Sequence, residues 1–214
     1  AEASSLAGHL GLDNLILFHD ANRVTLDAML DVSESDDTAA RYRAYGWGVQ
    51  EIDGGNLEEI EAAFLKAKAA VGKPQFIVSR TLIGNGIPEV AGTNKAHGEA
   101  GVKYTEAARK ALGLPDEKFF VSPEVRAYFK QHQEEQVKAY EVWKKTYEAW
   151  RAANADMAKD LDNSLEKKVP DLLAAIPEFA PAEAIATRKA GGVVLNAIAK
   201  KMPLLVTGSA DLFG

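Results

Sequence analysis

"LILFHDANRVTLDAM", residues 15–29, decides the fold. Leu15, Ile16, Leu17 and Phe18 form a continuous apolar run, the pattern of a parallel strand buried on both faces. The run gives way to Asp20, Asn22 and Asp27. A buried strand that ends in a cluster of oxygen-bearing side chains is how open α/β sheets present ligands at their carboxyl rim.

The flanking sequence extends the pattern. Residues 2–10 have the spacing of a small-residue helix. After an acidic loop at Ser33–Asp37, "TAARYRAYG" predicts a short helix capped by Gly46, and "WGVQEI" (47–52) reads as a second strand. Asn56 with Glu59 makes a capping-box-like start to a third helix. Leu57, Ile60, Phe64, Ala67 and Val71 recur along it at helical spacing, and Gly72 and Pro74 close it. "QFIVSR" (75–80) is a third strand. Alternating strands and helices with short connections predict a parallel α/β sheet with right-handed crossovers. Such a sheet sets "HDANRV" (19–24) and "TLIGNGIPEVAGTNKAHGEAG" (81–101) on the same rim.

From Ser122 the character changes. Ser122 as N-cap and Pro123 at the first helical position open a long amphipathic helix. Val125, Phe129, His132, Gln136, Tyr140, Trp143, Tyr147 and Trp150 follow at spacings of three and four, with His132 on the apolar stripe as a packing residue. Pro170, Pro177 and Pro181 punctuate the rest of a connector. A helix from about Thr187 to Lys201 and the run "LLVTG" (204–208) then read as the first helix and strand of a second α/β domain. The expected division is 1–121, a connector at 122–180, and 181–214.

The 214 residues are 47% hydrophobic and 26% charged, enough apolar material for a real core. Lys plus Arg number 25 against 31 Asp plus Glu, and the net charge of −6 argues against general nucleic-acid binding while leaving room for a small anionic substrate. The absence of cysteine excludes disulfides, thiolate catalysis and Cys-ligated zinc, and suits a reducing cytoplasm. No apolar run approaches the ~20 residues of a membrane span, and residues 1–10 lack the basic-then-apolar layout of a secretory signal. The chain starts without Met and stops directly after a strand-like run, so an internal piece of a longer polypeptide is expected.

An Asn whose side-chain oxygen points off a strand end, with a backbone carbonyl two residues later, can give two ligands to Mg²⁺ or Ca²⁺. A cation held by so few protein ligands commonly completes its shell with phosphate oxygens, which points to a phosphorylated cofactor or substrate. Asp20 and Asn22 suit ordinary turn positions as well.

Taken together, these motifs resemble transketolase. "EASSLAGHLGLDNLILFHDANRVTLDA" (2–28) is similar to the middle of that family's diphosphate-binding domain, where Asp-Asp-Asn-x-Ile-x-Ile-Asp-Gly closes the thiamin diphosphate motif. The likeness continues through "YRAYGW" (42–47), "TLIGNGIPEVAGTNKAHGE" (81–99), "ATRKAGG" (186–192) and "TGSADL" (207–212), essentially the whole chain. It implies a three-layer α/β/α thiamin-diphosphate-binding fold with a parallel sheet, truncated at both ends, plus a helical connector. Residues 1–121 would be the C-terminal part of the diphosphate-binding domain, and 181–214 the start of the pyrimidine-binding domain.

The resemblance also implies site residues. Asn22 would give its side-chain oxygen, and Val24 its backbone carbonyl, to the Mg²⁺ or Ca²⁺ that clamps the diphosphate. Asp20 matches the first Asp of the family pattern; Ala21 replaces the second, which is not a ligand in the family. Ile83 matches an apolar wall beside the thiazolium. His97 would contact cofactor and substrate and is the candidate for chemistry, because an imidazole can hydrogen-bond developing oxyanion charge or relay a proton near neutral pH. A loop His that caps the next helix is the plainer reading of the same residue. Arg188 at a helix start would bind a sugar phosphate through its guanidinium and the positive end of the helix. Asp211 matches a carboxylate close to the cofactor.

The activity implied is transfer of a two-carbon ketol unit from a ketose phosphate to an aldose phosphate, as in the pentose phosphate pathway, by a cytoplasmic homodimer with no nucleic-acid or membrane partner. The family's Gly-Asp-Gly and its activating Glu are not in these residues, so the 214 residues alone are expected to show no turnover. Dihydroxyacetone synthase, 1-deoxyxylulose-phosphate synthase and a non-catalytic module docking through the aromatic helix are the other readings.

Overall fold

Three parallel strands, β1 (Ile16–Ala21), β2 (Gly48–Asp53) and β3 (Gln75–Arg80), are hydrogen-bonded in the order β1-β3-β2. The computed structural model describes residues 1–98, 100–181 and 184–208, which fall into two units, Ala1–Phe120 and Val121–Gly214. The sheet lies in the first unit, with helices α1 (Glu2–His9), α2 (Thr38–Ala44), α3 (Leu57–Ala69) and α4 (Ala100–Ala111). The chain passes from β1 over the place of β3 to β2 and then steps back, so right-handed crossovers set α2 and α3 on opposite faces. The side chains of β3 record this. Phe76 and Val78 pack with Ala7 of α1, Ala39 of α2 and Trp47, whereas Ile77 packs against Ala63 and Ala67 of α3. The expected α/β/α layering is therefore present.

Burial within the sheet differs from the sequence expectation. β3 is buried from Gln75 to Ser79, while Leu15, Leu17 and Phe18 of the β1 segment are each 38% exposed. β1 pairs only with β3 among the described residues, and an edge position overrides apolar content. On α3 the buried residues are Ala63 and Ala67; Leu57 and Val71 are 80% and 82% exposed. Small side chains let this helix approach the sheet closely.

Local signals explain the element boundaries. Asp37 Oδ1 accepts from Ala40 N at 2.8 Å at the start of α2, and Gly46, at φ +85°, ends that segment where a side chain would be strained. Asn56 Oδ1 accepts from the Glu58 and Glu59 amides, and Glu59 reaches back to the Asp53 amide at 2.9 Å. Tyr42 stacks on Phe76 with ring centroids 3.8 Å apart, and Trp47 donates to the Ser4 carbonyl at 2.8 Å, fastening α1 to the sheet. Each aromatic pair adds about 1 kcal/mol beyond its buried area.

The second unit contains α5 (Pro123–Ala153), α6 (Ala155–Leu165) and α7 (Thr187–Ala199). Ser122 caps α5 through a Val125 N–H bond of 3.3 Å, with Pro123 in the first turn. No residue of α5 is buried, and His132 is exposed rather than packed, because nothing among the described residues covers that stretch of the stripe. Tyr140, Trp143, Tyr147 and Trp150 instead pack on one another along the helix, at centroid spacings of 5.7, 5.1 and 5.8 Å. Arg151 grips Asp162 of α6 with bonds of 2.7 and 2.6 Å and donates to the Tyr147 hydroxyl at 3.2 Å. Residues 204–208 are not a strand as expected: among the described residues no neighbouring strand takes their backbone groups, and Leu205 N turns back to the Met202 carbonyl at 2.9 Å. No helix among the described residues is long and apolar enough to cross a membrane.

Candidate functional site

The sheet register builds the site. Asp20 lies beside Ser79 and Ala21 beside Arg80, so the chains leaving β1 and β3 emerge together. Thr81, the first residue after β3, donates its hydroxyl to Asp20 Oδ1. The other Asp20 oxygen accepts from Asn22 Nδ2 at 3.2 Å, and Asn22 Oδ1 accepts from Val24 N at 3.0 Å. Between them Arg23 adopts φ 61°, a left-handed conformation that costs a non-glycine residue about 1 kcal/mol.

That turn orients Val24. Thr25 N donates to Ala28 O at 2.8 Å and Leu30 N to Arg23 O at 2.9 Å, which leaves Val24 and Met29 as a non-hydrogen-bonded antiparallel pair. Both backbone polar groups of Val24 therefore turn away from Met29. Its N–H goes to Asn22 Oδ1, so its carbonyl faces the same side as that oxygen. Two hard oxygen donors two residues apart fit a divalent cation with phosphate oxygens in its shell. Among the described residues no three His, Asp or Glu side chains are arranged to hold a metal.

Asn22 and Val24 line a cleft of about 900 Å³ with Asp20, Thr81, Leu82 and Gly92. Glu51 stands in the same cleft and accepts from Arg43 at 2.8 Å and Arg80 at 2.9 Å, and these guanidinium bonds, Arg43's foremost, hold its carboxyl below the usual carboxylate range.

The second rim segment folds onto itself. Gly92 N donates to the Ile83 carbonyl at 2.8 Å. A Cβ on Gly84, whose φ is +67°, would come within 2.8 Å of the Ala96 Cβ, so only glycine admits the 3₁₀ turn at Asn94–Ala96. Asn94 Nδ2 donates to the Asp27 carbonyl at 2.8 Å and ties this segment to the loop after β1. His97 follows the turn, half-buried, and its ring makes no hydrogen bond among the described residues.

Of the residues expected from sequence, the structure brings together Asn22 and Val24. Ile83 and His97 stand on the linked rim segment outside the cleft's lining, where Leu82 and Gly92 take part instead. Arg188 is an exposed second residue of α7 in the second unit, and the N-cap Ala186 offers no side-chain hydrogen bond there. Asp211 lies outside the described residues. Sequence reasoning did not find Thr81 or Asn94. Their signal, position directly after β3 and opposite the β1 loop, exists only once the strand order is known.

Residues 1–170 match the family model "Transketolase, thiamine diphosphate binding domain". The chain is 56% identical over 218 residues to the transketolase of Physarum polycephalum and 50% identical over 216 residues to that of Dictyostelium discoideum, covering 100% of this chain and 32% and 33% of theirs. Among solved structures, Leishmania mexicana transketolase superposes with a TM-score of 0.86 at 32% identity, over 98% of this chain and 32% of that one. A Pichia stipitis transketolase in complex with fructose-6-phosphate superposes with a TM-score of 0.85 at 35% identity, over 99% and 32%. The chain thus spans about a third of the length of the relatives it matches.

Proposed function

Since the chain belongs to the transketolase family, we propose that residues 1–121 supply part of the diphosphate-binding domain of a complete transketolase, 122–180 its helical linker, and 181–214 the start of its pyrimidine-binding domain. In this reading Asn22 Oδ1 and the Val24 carbonyl hold the Mg²⁺ or Ca²⁺ that clamps the diphosphate. The observation that carries it is the 3.0 Å bond from the Val24 N–H to Asn22 Oδ1 at a residue paired in non-hydrogen-bonded fashion with Met29, from which the carbonyl of Val24 is inferred to face the same side. When bound, thiamin diphosphate supplies the carbanion chemistry that lets a ketol unit leave one sugar and join another.

The chain's own residues bind, orient and shield. Ile83 offers an apolar wall that keeps water from the reacting centre. His97, on the segment anchored by Asn94, hydrogen-bonds the developing oxyanion of the sugar or moves its proton. Arg188 takes the sugar phosphate at the start of α7, and Asp211 stands near the cofactor. The substrates are sugar phosphates, in line with the Pichia stipitis relatives solved with fructose-6-phosphate and sedoheptulose-7-phosphate. The complete enzyme acts as a cytoplasmic homodimer, and the 214 residues alone have no turnover. The relatives named above are transketolases, which supports this reading over dihydroxyacetone synthase, 1-deoxyxylulose-phosphate synthase or a non-catalytic assembly module.

Titration of the complete enzyme with thiamin diphosphate and Mg²⁺ tests the proposal. Heat that requires both components and weakens in Asn22→Ala supports it. Cofactor binding that is indifferent to the cation and to Asn22 would overturn it.

A further inference from the structure

An Asn carboxamide can be seated in two senses that differ by exchange of its oxygen and nitrogen. At Asn22 the surroundings select one. Asp20 offers an acceptor to Nδ2 at 3.2 Å, and Val24 offers an N–H donor to Oδ1 at 3.0 Å. The reverse sense would set oxygen against carboxylate and NH₂ against N–H, losing both bonds. Only the observed sense turns the amide oxygen to the side that the Val24 carbonyl faces.

Asp20 is itself held. Its second oxygen accepts from the Thr81 hydroxyl, across the rim from β3, so both carboxylate oxygens are engaged and Asp20 acts through its neighbour. Position 21 carries Ala, so no other carboxylate adjoins Asn22 in the chain. The Arg23 turn at φ 61° leaves the backbone in a strained conformation that local preference alone would not maintain.

We propose that Asp20, anchored by Thr81, is the positioning residue that sets the sense of the Asn22 amide, so that oxygen and not nitrogen faces the divalent cation. This rests on the metal role of Asn22 proposed above. Partners that orient a ligand in this way typically govern 10- to 100-fold in metal affinity.

The test measures Mg²⁺ affinity of the complete enzyme at saturating thiamin diphosphate by calorimetry, beside the melting temperature of the metal-free protein. Asp20→Ala is expected to lose about 10- to 100-fold in Mg²⁺ affinity. Asp20→Asn, whose amide can still accept from Asn22 and donate to Thr81, is expected to stay close to wild type. A purely structural role would lower the metal-free melting temperature without selectively weakening the cation. Wild-type affinity in Asp20→Ala, alongside loss in Asn22→Ala, overturns the positioning role. Wild-type affinity in Asn22→Ala overturns instead the metal reading on which it rests. If Asp20→Ala does not fold, Thr81→Val decides the matter: a weaker cation supports the anchor, and unchanged affinity refutes it.

Discussion

The side-chain amide of Asn94 donates to the backbone carbonyl of Asp27 at 2.8 Å, joining two loops whose contact residues stand 67 positions apart in the chain. It links the segment carrying His97 to the segment carrying Asn22 and Val24. Without it the two halves of the rim are held by the strand ends and by the Thr81–Asp20 bond.

Asn94→Ala is expected to cost about 1 kcal/mol of unfolding free energy, the net worth of one hydrogen bond. The larger effect falls on thiamin diphosphate affinity in the complete enzyme, because the two loops must then be aligned at the moment of binding. Urea unfolding and cofactor titration of the same variant separate the two; equal cofactor affinity would show that the tie does not organise the site.

Gly84→Ala confronts both a φ of +67° and a contact of 2.8 Å with the Ala96 Cβ. A loss of more than about 1 kcal/mol is expected, since neither strain nor overlap is relieved without moving the turn before His97. Gly46→Ala is the control: its φ is +85°, but nothing lies within 4 Å of the added Cβ, so its cost is the backbone conformation alone. Denaturant midpoints should rank Gly84→Ala as the worse of the two.

Ser79 is buried in β3, and among the described residues its hydroxyl has no hydrogen-bond partner. Deleting that oxygen removes an unsatisfied polar group and leaves the backbone ladder intact. Ser79→Ala should therefore be neutral or more stable, by up to about 1 kcal/mol. A clear destabilisation in urea would mean that the hydroxyl is satisfied in solution.

The α5–α6 contact should weaken in acid. The Arg151 guanidinium, through its hydrogen bonds first and its charge second, holds the Asp162 carboxyl below the usual aspartate range. A carboxyl depressed in the folded state stabilises it at pH values above its unfolded pKa, about 3.9, and that contribution is lost as pH falls through the folded value. Fluorescence of Trp143 and Trp150 should follow the loss below about pH 4. In Asp162→Asn that part of the acid dependence should disappear.

Much of this protein is written in local sequence. Asn56 and Ser122 announce the helices they cap, Gly46 and Pro74 punctuate, and the three strands fall on the segments expected for them, β1 running three residues past its apolar run to Ala21, because propensity, capping and periodicity act over a few residues. The pairing of Asn22 with Val24 is legible for the same reason: two residues of one turn carry it. Other features depend on partners far along the chain. Leu17 and Phe18 are half-exposed because, among the described residues, β1 pairs only with β3, and Ser79 is buried because β3 lies between two strands. Residues 204–208 are apolar enough for a strand, yet a strand forms only where a neighbour accepts its backbone groups, and none does among the described residues. The sense of the Asn22 amide depends on Asp20, and Asp20 on Thr81, 61 positions away. Spacing along the chain sets which groups are available to the site, whereas hydrogen bonds between strand ends, which exist only after the sheet has closed, decide which way those groups face.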